Sequence, residues 1–407
     1  MKACRSSTVV VSTIVIAGCL ALVGCSLGLL LAGCGGEPTS PRAKALVYVN
    51  SIPARALIHL DAVSTGKLTP DSVLVREGDH TLTLTLDGYR DSTVSFSTAR
   101  EDTVSLDVRL TAIEGTFTWS RVTGIDAAVY GIDFATLTYG CGVGEAGNVF
   151  RTSSAGASWV QLNAGTSEDL LSVSFASPSV GWACGTNGVI LKTTDYGDTW
   201  TSWPSTTSQD LHDVCFVNAS NGWAVGDSGK ILRSTDGGLS WSPRTSNTTK
   251  NLSAVYFLDI THGWVVGGNL AGEGQVILRS TNGGVTWQSS STVSTSCLRD
   301  VFFFTSEIGL CVGDDGLVLR STNGGISWES MGSVGSLSLR ALTAWSSTDY
   351  WAVGYEYGAV GYVFRSADGG LTWYLFEETP QGLLCVDAIQ GSPNGWAGSL
   401  SGLWGYE

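Results

Sequence analysis

The chain has 407 residues, with 22 basic against 36 acidic side chains and a formal net charge of −14. Charged residues are 14% and apolar residues 43%, which excludes disorder driven by high charge and low hydrophobicity, and the missing basic excess excludes nucleic-acid binding. Gly (52) and Trp (15) are abundant and helix formers do not dominate, which excludes a helical bundle and points to β-structure with many turns.

In chain order, the first element is an address. Lys2 and Arg5 precede an uncharged stretch, Ser6–Gly33, and small residues follow before the chain turns polar at Glu37-Pro38-Thr39-Ser40. A basic start, an apolar core and small residues before a cut is the pattern of a secretory signal. Leu31-Ala32-Gly33-Cys34 resembles the bacterial lipobox, which implies a signal peptide over 1–33 and lipidation of Cys34. Cys19 and Cys25 have similar preludes, but cutting there would leave Leu27–Leu31 exposed. The competing reading is an uncleaved anchor, since roughly 20 apolar residues span a bilayer. Either way the expectation is a cell-envelope protein held to the membrane on its periplasmic or cell-surface side. Cleavage at Cys34 would remove two positive charges and leave the mature chain at −16. Six further cysteines remain, at 141, 184, 215, 297, 311 and 385. Their even number permits disulfides outside the cytoplasm, yet no C-x-x-C pair occurs, and small apolar side chains in strands is the plainer reading.

Residues 34–44 read as a linker. From 45 to 111 short runs alternate apolar and polar side chains, as in Leu46-Val47-Tyr48-Val49 and Thr81-Leu82-Thr83-Leu84, the mark of strands with one buried face. Ser51-Ile52-Pro53, Gly66 with Thr69-Pro70, Gly78-Asp79-His80 and Gly88-Tyr89 resemble the PEGA domain family, which implies a small β-sandwich without known chemistry. His59 and His80 are read as structural rather than as metal ligands.

The remainder, 115–407, is a repeat. Six boxes of the type R-S-T-D-G-G-L-S-W end at Trp159, Trp200, Trp241, Trp287, Trp328 and Trp373, spaced 41, 41, 46, 41 and 45 residues apart. Each follows a G-W-x-V-G signature such as Gly222-Trp223-Ala224-Val225-Gly226 or a variant of it such as the degenerate Gly309-Leu310-Cys311-Val312-Gly313, and each signature follows an apolar run such as Leu211–Phe216. One unit is strand A, strand B (G-W-x-V-G), a tight turn, strand C (I-L-R-S), a box hairpin and strand D. Four short strands in about 41 residues, repeated, is a β-propeller blade. The expected fold is all-β: a seven-bladed propeller behind a small N-terminal β-sandwich. The seventh unit lacks a strand D. The orphan Thr116–Ser120 supplies it and closes the ring, which removes open sheet edges.

Asp or Asn at 195, 236, 282, 323 and 368 can bond the N–H groups of its own turn, and Gly-Gly supplies positive-φ residues. These are Asp-boxes, or BNR repeats. Sialidases and some xyloglucanases carry such boxes, so a glycoside-hydrolase or glycan-binding propeller is the alternative reading. A residue repeated around a ring is a building element, however, and no R-I-P segment occurs. G-W-x-V-G followed by I-L-R-S-T-D-G-G-x-T-W resembles the photosystem II stability/assembly factor family. That resemblance implies a propeller that binds newly made membrane-protein subunits without enzymatic activity. No catalytic, metal or cofactor site is expected. The expected partner is an envelope or membrane protein, and the chain reads as a monomer that binds no nucleic acid.

Two sets of residues are candidates for the partner. The B–C turn is lengthened in two units: seven positions separate Gly226 from Arg233, but twelve separate Gly267 from Arg279 and eleven separate Gly354 from Arg365. The longer turns hold Asn269–Glu273 and Tyr355, Glu356 and Tyr357, where aromatics beside a carboxylate suit protein or glycan contact. The second set is the basic residue of strand C: Arg151, Lys192, Arg233, Arg279, Arg320 and Arg365. The family resemblance makes these partner contacts, since the family uses an arginine patch. The other reading is that each stacks on a Trp or pairs with a box carboxylate.

Overall fold

The computed structural model describes residues 10–11, 14–17, 44–52, 56–69, 71–85, 90–99, 102–110, 119–268, 274–290, 295–356, 360–388 and 394–406. Cys34, Tyr357 and Asn269–Glu273 lie outside the described residues. The chain divides into two units, 1–117 and 118–407.

Among the described residues, the N-terminal unit holds two sheets around one core. In the first, Ala45–Ile52 runs parallel to Thr103–Arg109 and antiparallel to Asp71–Val75. Ile14–Ala17 pairs with the other edge of Thr103–Arg109, and Val10–Val11 pairs with Ile14–Ala17. The second sheet holds Val63–Leu68, Leu57–Leu60, Gly78–Thr85 and Ser92–Thr98 in that order. Alternation does what its period demands: Val47, Val49, Ile58, Leu82, Leu84, Val94, Leu106 and Val108 are buried in a common cluster. Both histidines have structural partners. His59 Nε2 sits 3.1 Å from Thr85 Oγ1, and His80 bonds Asp61 Oδ2 and the Arg76 carbonyl, both at 2.8 Å. These two acceptors raise the His80 pKa, the Asp61 carboxylate most of all.

Among the described residues, the second unit holds seven antiparallel four-stranded sheets. Numbered along the chain, their A strands are Val129–Phe134, Leu170–Ser177, Leu211–Phe216, Leu252–Phe257, Leu298–Phe303, Ser338–Ala344 and Leu383–Ala388. Each A strand contacts the next, and the seventh contacts the first, so the sheets form a closed ring. Sheet 7 is closed as the sequence requires: Trp119–Arg121, at the start of the unit, pairs with Gly402–Tyr406 at its end. Strand D of the other six sheets begins just after the box Trp (Val160, Thr201, Ser242, Gln288, Glu329, Tyr374), because the Trp is still inside the hairpin that its box residue holds.

The same contacts recur between sheets. Trp182, Trp223 and Trp264, in strand B, are completely buried. Each stacks on the strand A Phe of the next sheet, Phe216, Phe257 and Phe303, at 3.4–3.5 Å and within 7° of parallel. The box Trp of that next sheet meets the same Phe edge-on, as Trp241 does with Phe216 at 5.7 Å and 90°. The indole N–H groups of Trp182, Trp223 and Trp264 donate to the Gly237, Gly283 and Gly324 carbonyls of the next box hairpin. Gly238 has φ +80°, and a Cβ there would fall 2.6 Å from Trp182 Nε1, so both conformation and space select glycine. Within the boxes, Asp236 Oδ1 accepts the Ser240 N–H (3.0 Å) and the Ser234 hydroxyl (2.8 Å), and Asn282 and Asn323 do likewise. The six described cysteines are free thiols, five of them buried.

Candidate binding face at one end of the ring

In an antiparallel four-strand meander, the A–B turns and box hairpins lie at one end of the ring, the B–C turns and D–A links at the other. Hydrogen bonds tie each pair together: Gly237 N–H to the Ser220 carbonyl at the box end, and Thr186 N–H to the Asp169 carbonyl at the opposite end.

The basic residues of strand C all face the box end, and most are held there by structure. Lys192 donates to the Gly237 carbonyl at 2.8 Å and lies over the Trp182 ring. Arg151 pairs with Asp198 of the next box at 2.8 Å, and Arg320 Nε donates to the Gly369 carbonyl at 2.9 Å. Arg365 is 4% exposed, grips Asp349 with two bonds (2.9 and 2.7 Å) and covers the faces of Trp351 and Phe376. Arg233 and Arg279 are the looser pair: neither makes a hydrogen bond or ion pair among the described residues. The structure therefore does not gather these six into one exposed patch. They form a girdle in which each, where partnered across a junction, reaches the next hairpin.

The B–C end is different. It opens into a central cavity of about 800 Å³, and Tyr355 lines its mouth. Glu356 is exposed beside it and accepts the Tyr362 hydroxyl at 3.3 Å. Most of the rest of the lining comes from strand A, for a geometric reason. All seven A strands shift register at the second residue of their core run, which begins one residue into Ser338–Ala344: between Val129 and Gly131, Leu170 and Ser172, Leu211 and Asp213, Leu252 and Ala254, Leu298 and Asp300, Leu339 and Ala341, Leu383 and Cys385. A bulge sets two residues against one on the partner strand. Second and third residues, which strict alternation would send to opposite faces, thus both line the cavity. The second residues are Tyr130, Leu171, His212, Ser253, Arg299, Arg340 and Leu384.

Two of these are already paired. His212 Nε2 is 2.8 Å from Asp227, and Arg299 clasps Asp314 through Nε (3.0 Å) and Nη2 (2.7 Å), with the Ser338 hydroxyl on the same carboxylate. Arg340 makes no hydrogen bond or ion pair among the described residues; its guanidinium lies 5.6 Å from the centre of the Tyr355 ring. Burial, with the Arg299 charge behind it, lowers its pKa.

Deeper in, four buried carboxyl groups link neighbouring A strands. Phe134 N–H donates to Asp387, Phe175 N–H to Asp133, Val255 N–H to Asp213 and Leu342 N–H to Asp300, all within 2.7 Å. Asp213 also takes the Ser172 hydroxyl and its own neighbour's N–H, and Asp300 takes the Val301 N–H. Burial pushes Asp213 up to about 6 and Asp300, with Asp213 nearby, up to about 8. Asp133 and Asp387 are raised by burial too, Asp133 further by the Asp387 charge. Sequence reading missed both these carboxyls and the Arg340 mouth. The signal that would have found the mouth is the variable second position of an otherwise regular L-x-x-V-x-F run.

Compared with known families, residues 112–207, 204–290 and 245–384 match the model described as photosynthesis system II assembly factor YCF48. The chain belongs to this family. Residues 45–114 match the PEGA domain. No curated protein matches the sequence. Among solved structures, YCF48 bound to D1 peptide is similar at 18% identity and a TM-score of 0.60, over 72% of this chain and 96% of that one. YCF48 from Cyanidioschyzon merolae is similar at 18% identity and 0.57, over 71% and 98%. A Niastella koreensis GH74 enzyme is similar at 15% identity and 0.52, over 80% of this chain but 47% of that one. At these identities the likeness carries the fold, a propeller.

Proposed function

We propose that the ring is a seven-bladed β-propeller, that the N-terminal unit is a β-sandwich, and that together they form a non-enzymatic scaffold for a protein partner. The partner docks at the B–C end. The observation that carries this is the division of the ring: the box end repeats structural contacts, whereas the cavity mouth presents a different side chain from nearly every sheet. A family relative solved with a D1 peptide supports a protein ligand as the partner class. Against hydrolysis stands the use of the cavity's carboxyls. Asp213 and Asp300 each accept backbone N–H groups with both oxygens, which leaves neither placed as a free acid or base. We further propose lipidation at Cys34 and residence in the cell envelope, on the lipobox-like Leu31–Cys34. Affinity capture from an envelope fraction with the full chain, run beside a polysaccharide-hydrolysis screen, tests the reading. A specific protein and no turnover is the expected result; turnover without a protein partner overturns it.

A further inference from the structure

The side chains around the cavity mouth are segregated. Leu384 and Leu400 of sheet 7, Tyr130 of sheet 1 and Leu171 of sheet 2 make an apolar arc, and Leu400 is 67% exposed. Arg299 and Arg340, on sheets 5 and 6, make a cationic arc with the Tyr355 ring against it. Only one of the two cations is neutralised, since Asp314 takes both forks of Arg299. Arg340 is left half-buried and repelled by Arg299, with no hydrogen-bonded or ion-paired carboxylate of its own among the described residues; the Asp314 charge that Arg299 holds acts on it only at longer range. A cation withdrawn from water without a partner is costly, and an anion arriving beside it recovers that cost. In the floor beneath, Asp300 is occupied by two backbone N–H groups, and burial raises its pKa to about 8, which favours its neutral form. A volume of about 800 Å³ lies in the range of small-molecule sites, roughly 300–1,000 Å³.

We propose that the cavity mouth binds an amphipathic monocarboxylate of small-molecule size, with its carboxylate on Arg340 and its apolar body against Leu171 and Leu384. Tyr355, with its ring centre 5.6 Å from the guanidinium, is the cation–π partner that holds Arg340 at the cavity lining. This site goes beyond the protein-docking reading and does not depend on it.

Calorimetric titration of the full chain with octanoate is the test, with 1-octanol as the neutral isostere. The expected result is one saturable octanoate site per chain, weaker octanol binding, and a loss of about tenfold in Arg340→Gln. Lys230→Gln, at the same end but outside the cavity, leaves the affinity unchanged and so separates a contact from general attraction. Thermal melting establishes that Arg340→Gln is folded. Arg340→Lys keeps the charge without the planar fork and gives a smaller loss. No saturable octanoate binding, octanol binding as tight as octanoate, or an unchanged affinity in both Arg340 variants overturns the proposal.

Discussion

The two ends of the ring are built by the same seven sheets and differ in what their side chains touch. At the box end Trp182, Trp223 and Trp264 find the same Phe, the same glycine carbonyl and the same edge-on Trp at successive junctions. At the B–C end the residue in the strand A bulge is Tyr, Leu, His, Ser, Arg, Arg and Leu in turn. A side chain that recurs at every junction is fixed by packing. One that changes from sheet to sheet is free of that constraint and available to a ligand.

Four variants would break or sharpen this contrast. Trp223→Ala removes a fully buried indole, its stack on Phe257 and its bond to Gly283. It is expected to cost about 3–5 kcal/mol in chemical unfolding, and a cost no larger than that of cavity-mouth variants would dissolve the contrast. Next is Arg365→Gln. This leaves Asp349, 4% exposed, without its guanidinium, and the expected loss is about 3 kcal/mol. A loss under about 1 kcal/mol would show that the strand C cations are not structural and would revive them as partner contacts.

Set apart by its pH dependence is the effect of Asp300→Asn. The native Asp300 pKa is about 8 against an ordinary 3.8, so the folded state holds the extra proton. Its contribution to stability is therefore fully present below about pH 4 and is lost as pH rises toward about 8. Urea unfolding at pH 5 and pH 8.5 should show the wild type losing more stability than the variant over that interval; equal losses would contradict the assignment. Smallest is Tyr355→Ala, half-buried at the mouth, with an expected change within about 1 kcal/mol in thermal melting.

Much of the ring was legible because its physics is local. The Asp-box spells out its own turn: a carboxylate or amide at one position, glycines where φ is positive, a hydroxyl four residues on. Ring closure was legible for a counting reason, since the last unit lacked one strand and a spare one, ending at Trp119–Ser120, stood in front of the first. The cavity mouth was not legible. Period-two reasoning sends Arg340 and Ala341 to opposite faces, and only the bulge after Leu339 turns both toward the cavity. The carboxyl links were hidden for a related reason. Asp213 and Asp300 sit third in their strands and Asp133 and Asp387 fifth, so no repeated column announced them, although each bonds a backbone N–H of the following sheet. Likewise the strand C cations looked like a patch in sequence because their repetition was visible and the hairpin each one meets was not.

The central claim is that partners meet the B–C end and not the box end. A photo-crosslinking side chain placed at 355, and in a second protein at 239 on an exposed box hairpin, tests it in cells carrying the full chain. The account predicts a discrete protein adduct from position 355 and none from position 239. An adduct from 239 alone would contradict it.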